Sequence, residues 1–437
     1  MRHYARRHLL DTVGVMIAGA AGEIVARAEA MLSAVRPPGE IAVPGRARRA
    51  DLLDAAFLGG TAAHAVEFDD GFREGSVHPG CVVVPAVLAL AHARHVSGAA
   101  LMEAMVAGYE TVIAIARACH PNVRRRGFHP TGVVGVLGSA MAAGKLNGLS
   151  REQLANALGL AASSAGGLFA FVNGGADVKR LHAGHAAREG LQAVLLAAQG
   201  VEGPPNVMES RDGFMQAFTF DDGAGNAGRV LRMPPHGKFG VTDCYIKPYP
   251  CCRHIQPALE AFIGILSAAD IASEEVEAVE VATYRIAAEH AHTPWDDFAG
   301  AQLSFPYLMG LALRFRSIRL EQFSESMRAD PWFAAFARKL EVIAPAEIDR
   351  RYPQLRPARV TVRTRRGEFT RQRDEALGSR LMPLDDGGLK DKFMDLAGPV
   401  IGAKRAGHLQ NGLWAADQLG DAAPLVEMMA TPADTLP

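Results

Sequence analysis

The stretch from His64 to Pro85, HAVEFDDGFREGSVHPGCVVVP, sets the reading of the chain around it. It leaves an apolar helical run, turns polar through Glu67, Asp69 and Asp70, and crosses a Gly-containing loop. His78-Pro79-Gly80 follows, and a new apolar run opens at Val82. Carboxylates at the end of one helix, facing an imidazole at the start of the next, suit proton transfer. A general acid or base must lie within hydrogen-bond reach of its proton, and helix ends hold it more firmly than loop tips. The same residues also suit a structural turn, with Asp69 and Asp70 capping it and His78-Pro79 closing it.

Working outward, the signal to about residue 245 is helical nearly throughout. Asp51 to Val66 forms the helix that ends at the acidic loop. Upstream, MRHYARRHLLDTVGVMIAGAAG resembles an export signal superficially, but Asp11 interrupts it. Leu9, Leu10, Val13, Met16 and Ile17 recur at helical spacing, so an amphipathic core helix is expected. Downstream, Leu101 to Ala118 carries Leu101, Met105, Tyr109, Val112, Ile113 and Ala116 along one stripe. Ser150-Arg151-Glu152-Gln153 is a capping-box pattern ahead of a Leu154 to Ala162 helix. A helix between Gly132 and Gly148 is entered from Phe128-His129-Pro130, and another, His185 to Gln199, from Lys179-Arg180-Leu181-His182. Polar loops thus deliver His or Lys to helix starts, where free N–H groups favour anions such as carboxylates.

Around Lys247-Pro248-Tyr249-Pro250 the pattern changes. A helix from Pro257 to Ala268 precedes Val276 to Tyr284, which alternates as a half-buried strand. Arg359 to Thr364 and Glu368 to Thr370 read as a hairpin, with helices near Ser304 to Leu313 and Trp332 to Leu340 between. The expected class is α+β. A large all-helical domain spans 1–248, a smaller α+β lid domain spans 249–376, and residues 377–437 return to the helical domain. Helical patterning resumes at Leu389 to Leu396 and Gly407 to Leu419, and the tail after about Pro432 is expected to fray.

At 437 residues the chain is long enough for two domains, and its formal net charge of -1 argues against nucleic-acid binding by counterion release. No apolar run reaches the roughly 18 residues a membrane span needs. The cysteines are Cys81, Cys119, Cys244, Cys251 and Cys252. An odd count without a Cys-x-x-Cys pair points to a reducing, cytoplasmic compartment and gives no support for a structural metal. No His is tied by spacing to Cys251 or Cys252, so inert buried thiols are expected there.

Several stretches share a pattern. They are His64-Ala65-Val66-Glu67-Phe68-Asp69-Asp70, His78-Pro79-Gly80, Phe128-His129-Pro130-Thr131-Gly132-Val133-Val134-Gly135, Lys179-Arg180-Leu181-His182-Ala183-Gly184, Lys247-Pro248-Tyr249-Pro250-Cys251-Cys252 and Ser304-Phe305-Pro306-Tyr307. In this order they resemble the MmgE/PrpD family, which includes 2-methylcitrate dehydratase, cis-aconitate decarboxylase and iminodisuccinate epimerase. The resemblance implies a cofactor-free, metal-free homodimeric enzyme with its active site in a cleft between the domains. It carries catalytic positions onto Glu67, His78, His129, Lys179, Lys247 and Tyr307. Asp70, His182 and Arg253 are expected to bind substrate.

Glu67 stands where relatives usually have Asp, and Gly71 where some have Thr. The 71–77 loop differs in length from the decarboxylase pattern, and a further helix usually precedes the point where this chain begins. The expected activity is a lyase acting on a small di- or tricarboxylate, by proton abstraction α to a carboxylate with loss of water or carbon dioxide. The alternative is an epimerase or isomerase acting through the same carbanion. His78 and His129 are the acid–base candidates, Glu67 orients one of them, and Lys179, Lys247 and Tyr307 hold the carboxylate.

Overall fold

The computed structural model describes residues 1–173, 177–220 and 238–431. The expected frayed tail lies outside them. The chain divides into one unit formed by Met1–Ile246 with Asp385–Pro437, and another formed by Lys247–Leu384.

The first unit is helical. Its principal elements are α1 (Arg2–Gly19), α2 (Glu23–Val35), α3 (Leu52–Ala63), α4 (Gly80–Arg94), α5 (Gly98–Cys119), α6 (Pro130–Leu146), α7 (Arg151–Ser163) and α8 (Asp177–Ala198). Asp51 caps α3 by accepting from the Asp54 N–H, and Ser150 forms the expected capping box with Gln153 at α7. Small residues set the spacing between helices. A Cβ placed on Gly60 of α3 would stand 2.8 Å from the Ala183 carbonyl of α8, so the two backbones touch where only glycine fits.

Three sequence readings need revision. Every residue of α1 from Arg7 to Gly19 is buried, so α1 is enclosed on all sides rather than amphipathic. Helix α8 begins at Asp177, so Lys179 and His182 belong to its first turns instead of a preceding loop. By length and mean hydropathy α5 could cross a membrane, yet 61% of its apolar window is buried. Within it, buried Glu110 accepts the backbone N–H groups of Gly240 and Val241, which makes α5 a core helix.

The second unit is built on a four-stranded mixed sheet in the order β2-β1-β3-β4, with β1 Val276–Thr283, β2 Leu340–Ile343, β3 Ala358–Thr364 and β4 Gly367–Arg373. β1 runs antiparallel to β3, with Val279 opposite Val362 and Val281 opposite Val360. The β3–β4 hairpin closes from Thr364 to Gly367. Helices α9 (Gln256–Ala268) and α10 (Phe305–Phe315) contribute Phe262, Ile265, Phe305 and Leu308 to a core shared with Val279, Val281 and Val360. Strand β2 falls where the sequence suggested the end of a helix. That helix stops at Ala337, and Leu340–Ile343 pairs parallel with β1, a partner some sixty residues away that no local pattern announces.

Beyond Leu384 the chain returns to the first unit as α11 (Asp386–Ile401) and α12 (Ala403–Trp414). α11 packs on α1, where Lys392 donates to Asp11 Oδ1 at 2.6 Å and to the Phe68 carbonyl at 3.0 Å. The buried Lys392 cation thereby fixes the entrance to the acidic loop.

Candidate active site

Between α3 and α4 the chain makes a loop whose polar groups are almost all committed. Asp70 is fully buried. Its Oδ2 accepts from His8 Nδ1 of α1 and from the Tyr109 hydroxyl of α5, each at 2.8 Å, and its Oδ1 accepts from the Gly80 N–H of α4 at 3.0 Å. Read from the sequence as a substrate ligand, Asp70 instead ties three helices together.

Asp69 faces the imidazoles. Its Oδ2 lies 2.7 Å from His64 Nδ1 and 3.0 Å from His78 Nδ1, and His78 Nδ1 also lies 2.6 Å from the Asp70 carbonyl. The His64 ring sits 5.0 Å from that of His78 and stacks on that of His129, with centroids 5.7 Å apart. His129 Nδ1 is 3.1 Å from His182 Nδ1, so one of these nitrogens donates and the other accepts. Four imidazoles therefore share one neighbourhood. The start of α6 supports them, because the Thr131 hydroxyl accepts the His78 N–H and the His129 N–H donates to the Gly167 carbonyl.

Glu67 has left-handed backbone, with φ +53°, a conformation that costs energy for a non-glycine residue and often marks a functional position. Its carboxylate pairs with the ammonium of Lys179. Arg180, one residue on, is buried and donates to the Ala65 carbonyl at 3.0 Å, which ties the start of α8 to the same loop. The sequence assigned Glu67 to orienting an imidazole. Asp69 does that, and Glu67 serves Lys179. His64 and Asp69 were both within the quoted stretch, but the five-residue step between them suggests no shared face until the chain leaves the helix.

Burial governs the charge states. It drives His64 down to about 3 despite the Asp69 carboxylate, and holds His129 well below the ordinary imidazole range, helped by the other rings. His182 is lowered by burial and by His185. Burial alone would push Asp69 up, but the neighbouring His78 and His64 outweigh it and keep Asp69 well below the usual carboxylate range. The site thus combines an ionised carboxylate, buried neutral imidazoles and an ammonium–carboxylate pair.

One trio among the described residues could geometrically gather a metal: His64, Asp69 and Cys81. In this structure the same residues take part in a hydrogen-bond network. Cys81 Sγ lies 3.2 Å from the His78 carbonyl, and burial, with Asp69 and Asp70 nearby, pushes its thiol well up. A hollow of about 680 Å³ elsewhere in the first unit is lined by residues such as Met102, Val106, Leu137 and Met141, and by none of these imidazoles.

The remaining expected residues lie in the second unit. Lys247 is buried there, close enough to Cys251 and Cys252 to bias their thiols. Arg253 donates to Gln256 Oε1 at 2.5 Å and to the carbonyls of Leu377 and Ala376, a framework role. The Tyr307 hydroxyl donates to the Gln322 carbonyl at 2.5 Å, and its ring packs against Phe323 and Phe333 with no exposure. In this structure it packs as a core residue of the second unit. Cys252 was expected to be inert, but its Sγ lies 3.6 Å from His290 Nε2. Thirty-eight residues separate the pair, so sequence spacing could not connect them.

Residues 1–225 match the MmgE/PrpD N-terminal domain and residues 249–416 the MmgE/PrpD C-terminal domain. Cis-aconitate decarboxylase of Aspergillus terreus is 29% identical over 432 residues, covering 91% of this chain and 85% of that protein. The human protein of the same name is 38% identical over 167 residues, covering 37% of this chain and 34% of its own. The mouse protein is 34% identical over 220 residues, covering 48% and 44%. With both family domains matched in order across most of its length, the chain belongs to the MmgE/PrpD family.

Proposed function

We propose that the protein is a lyase for a small di- or tricarboxylate, working through a carbanion beside a carboxylate. The carbanion is formed either by removing an α proton before hydroxide leaves as water, or by loss of carbon dioxide, after which it is protonated. The observation that carries this reading is the joining of an ammonium to a group of imidazoles, of which burial holds His64 and His129 neutral. Lys179 pairs with Glu67 beside His64, His78, His129 and His182. Abstraction of an α proton builds charge on the adjacent carboxylate, and a positioned ammonium is suited to stabilise it. A neutral imidazole can take the proton, and a second can return one to the leaving group or to the carbanion. Glu67 keeps Lys179 aligned until substrate arrives, and the substrate carboxylate then competes for the same ammonium. Relatives named cis-aconitate decarboxylase support an unsaturated tricarboxylate as the first compound to try.

The test is proton NMR in deuterated buffer with cis-aconitate, citrate-like and succinate-like acids. Loss of water or carbon dioxide from one of them is expected. Solvent deuterium entering an unchanged skeleton would replace the lyase by an epimerase working through the same carbanion. Turnover of none of them would overturn the reading. With an active substrate, His129→Ala and Lys179→Ala should each lower kcat/KM at least about tenfold with the fold retained by circular dichroism. Lys247→Met tests the second ammonium by the same assay.

A further inference from the structure

The Oδ2 atom of Asp69 serves two rings, His64 at 2.7 Å and His78 at 3.0 Å, through Nδ1 in both. An ionised carboxylate oxygen brings no hydrogen, so each contact requires a proton on Nδ1. For His78 a second acceptor makes the same demand, since the Asp70 carbonyl lies 2.6 Å from the same nitrogen. Each ring then leaves its other nitrogen, Nε2, as the one with a lone pair. The His64 side chain is wholly enclosed, whereas that of His78 is 16% exposed, so His78 is the ring a ligand can reach.

We propose that Asp69 is the positioning residue of the site, fixing His64 and His78 as Nδ1–H tautomers so that His78 Nε2 is the nitrogen that exchanges a proton with substrate. This rests on the reading of the imidazoles as the proton-handling groups. A buried carboxylate with one N–H partner competes for that partner's proton. A second N–H, from His64, satisfies the carboxylate further and lets it orient His78 without taking its proton. The arrangement uses the logic by which a carboxylate sets an imidazole's tautomer in hydrolytic triads, with one carboxylate shared between two rings.

The experiment uses the full-length protein with 15N-labelled histidine, observed through two-bond proton–nitrogen couplings at pH 8.5, where ordinary imidazoles are neutral. His64→Gln and His78→Gln identify the two signals. Both should show the Nδ1–H pattern in the wild type. Asp69→Asn puts an amide in place of the shared acceptor. At least one ring should then switch to the Nε2–H form, and kcat should fall about 10²–10⁴-fold with KM within about threefold. Either ring in the Nε2–H form in the wild type overturns the proposal, as does Asp69→Asn keeping kcat within threefold. Should the wild type turn over no carboxylate, the lyase reading fails, and the wild-type tautomers alone decide this inference.

Discussion

Tyr307 shows how a residue can match a family pattern and still be held by packing. Its hydroxyl is taken by the Gln322 carbonyl, and its ring lies in the second unit's core. Tyr307→Phe should therefore leave turnover within about twofold while lowering stability by roughly 1 kcal/mol, the cost of one buried hydrogen bond, measured by denaturant unfolding. A tenfold loss of kcat would return Tyr307 to the site. Cys252 is the opposite case. Burial raises its thiol, but the charge and hydrogen bond of His290, with lesser help from Lys247, bring it down to about 7, whereas burial lifts Cys119 and Cys251 to about 12. Timed iodoacetamide labelling at pH 7, read by peptide mass spectrometry, should modify Cys252 first. Dropping to pH 6 should slow it several-fold as the thiolate is protonated. Equal labelling of the other cysteines would remove the thiolate. Residue types and local order singled out His78, His129, Lys179 and Glu67 as candidates. Their pairings were hidden, because Asp69 and Glu67 are two residues apart and only the left-handed turn at Glu67 decides which one faces the rings.

At the scale of elements, helix bounds were legible wherever a cap marked them, as at Asp51 and Ser150. They were not legible at α8, whose start carries no Ser, Thr or Asn cap in the described residues. Nor was β2 legible, because its partner is distant in sequence. The approach of α3 to α8 places the Glu67 loop against Lys179, and it depends on two glycines. A Cβ on Gly184 would stand 2.5 Å from the Phe57 carbonyl, too close for backbone to absorb without moving a helix. Gly184→Ala should cost on the order of 1–3 kcal/mol in denaturant unfolding, as overpacking does, and lower kcat/KM by displacing Lys179. Wild-type stability in that variant would show that the helices can slide.

For the molecule as a whole, the buried imidazoles set how stability varies with acid. In the unfolded chain they bind protons near pH 6.5, whereas folded His64 does not until about 3, and His129 also lies well below its ordinary value. Between those values the unfolded state holds more protons, so stability is full above about pH 6.5 and declines as pH falls. Asp69 acts in a different window. Its folded value lies below the unfolded one, so its contribution is present above about 4 and is lost only in stronger acid. Denaturation midpoints measured from pH 8 to pH 5 should fall steadily in the wild type and less steeply in His64→Gln. A flat profile would mean that the rings are solvated. The two-unit frame has a further consequence through Lys392. On a ribosome, Asp11 emerges 381 residues before its cation, and the acidic loop waits 324 residues for the ammonium that holds the Phe68 carbonyl. The helical unit can reach its final form only after the second unit has been synthesised, so a nascent chain stalled before α11 should remain open to proteases at the acidic loop.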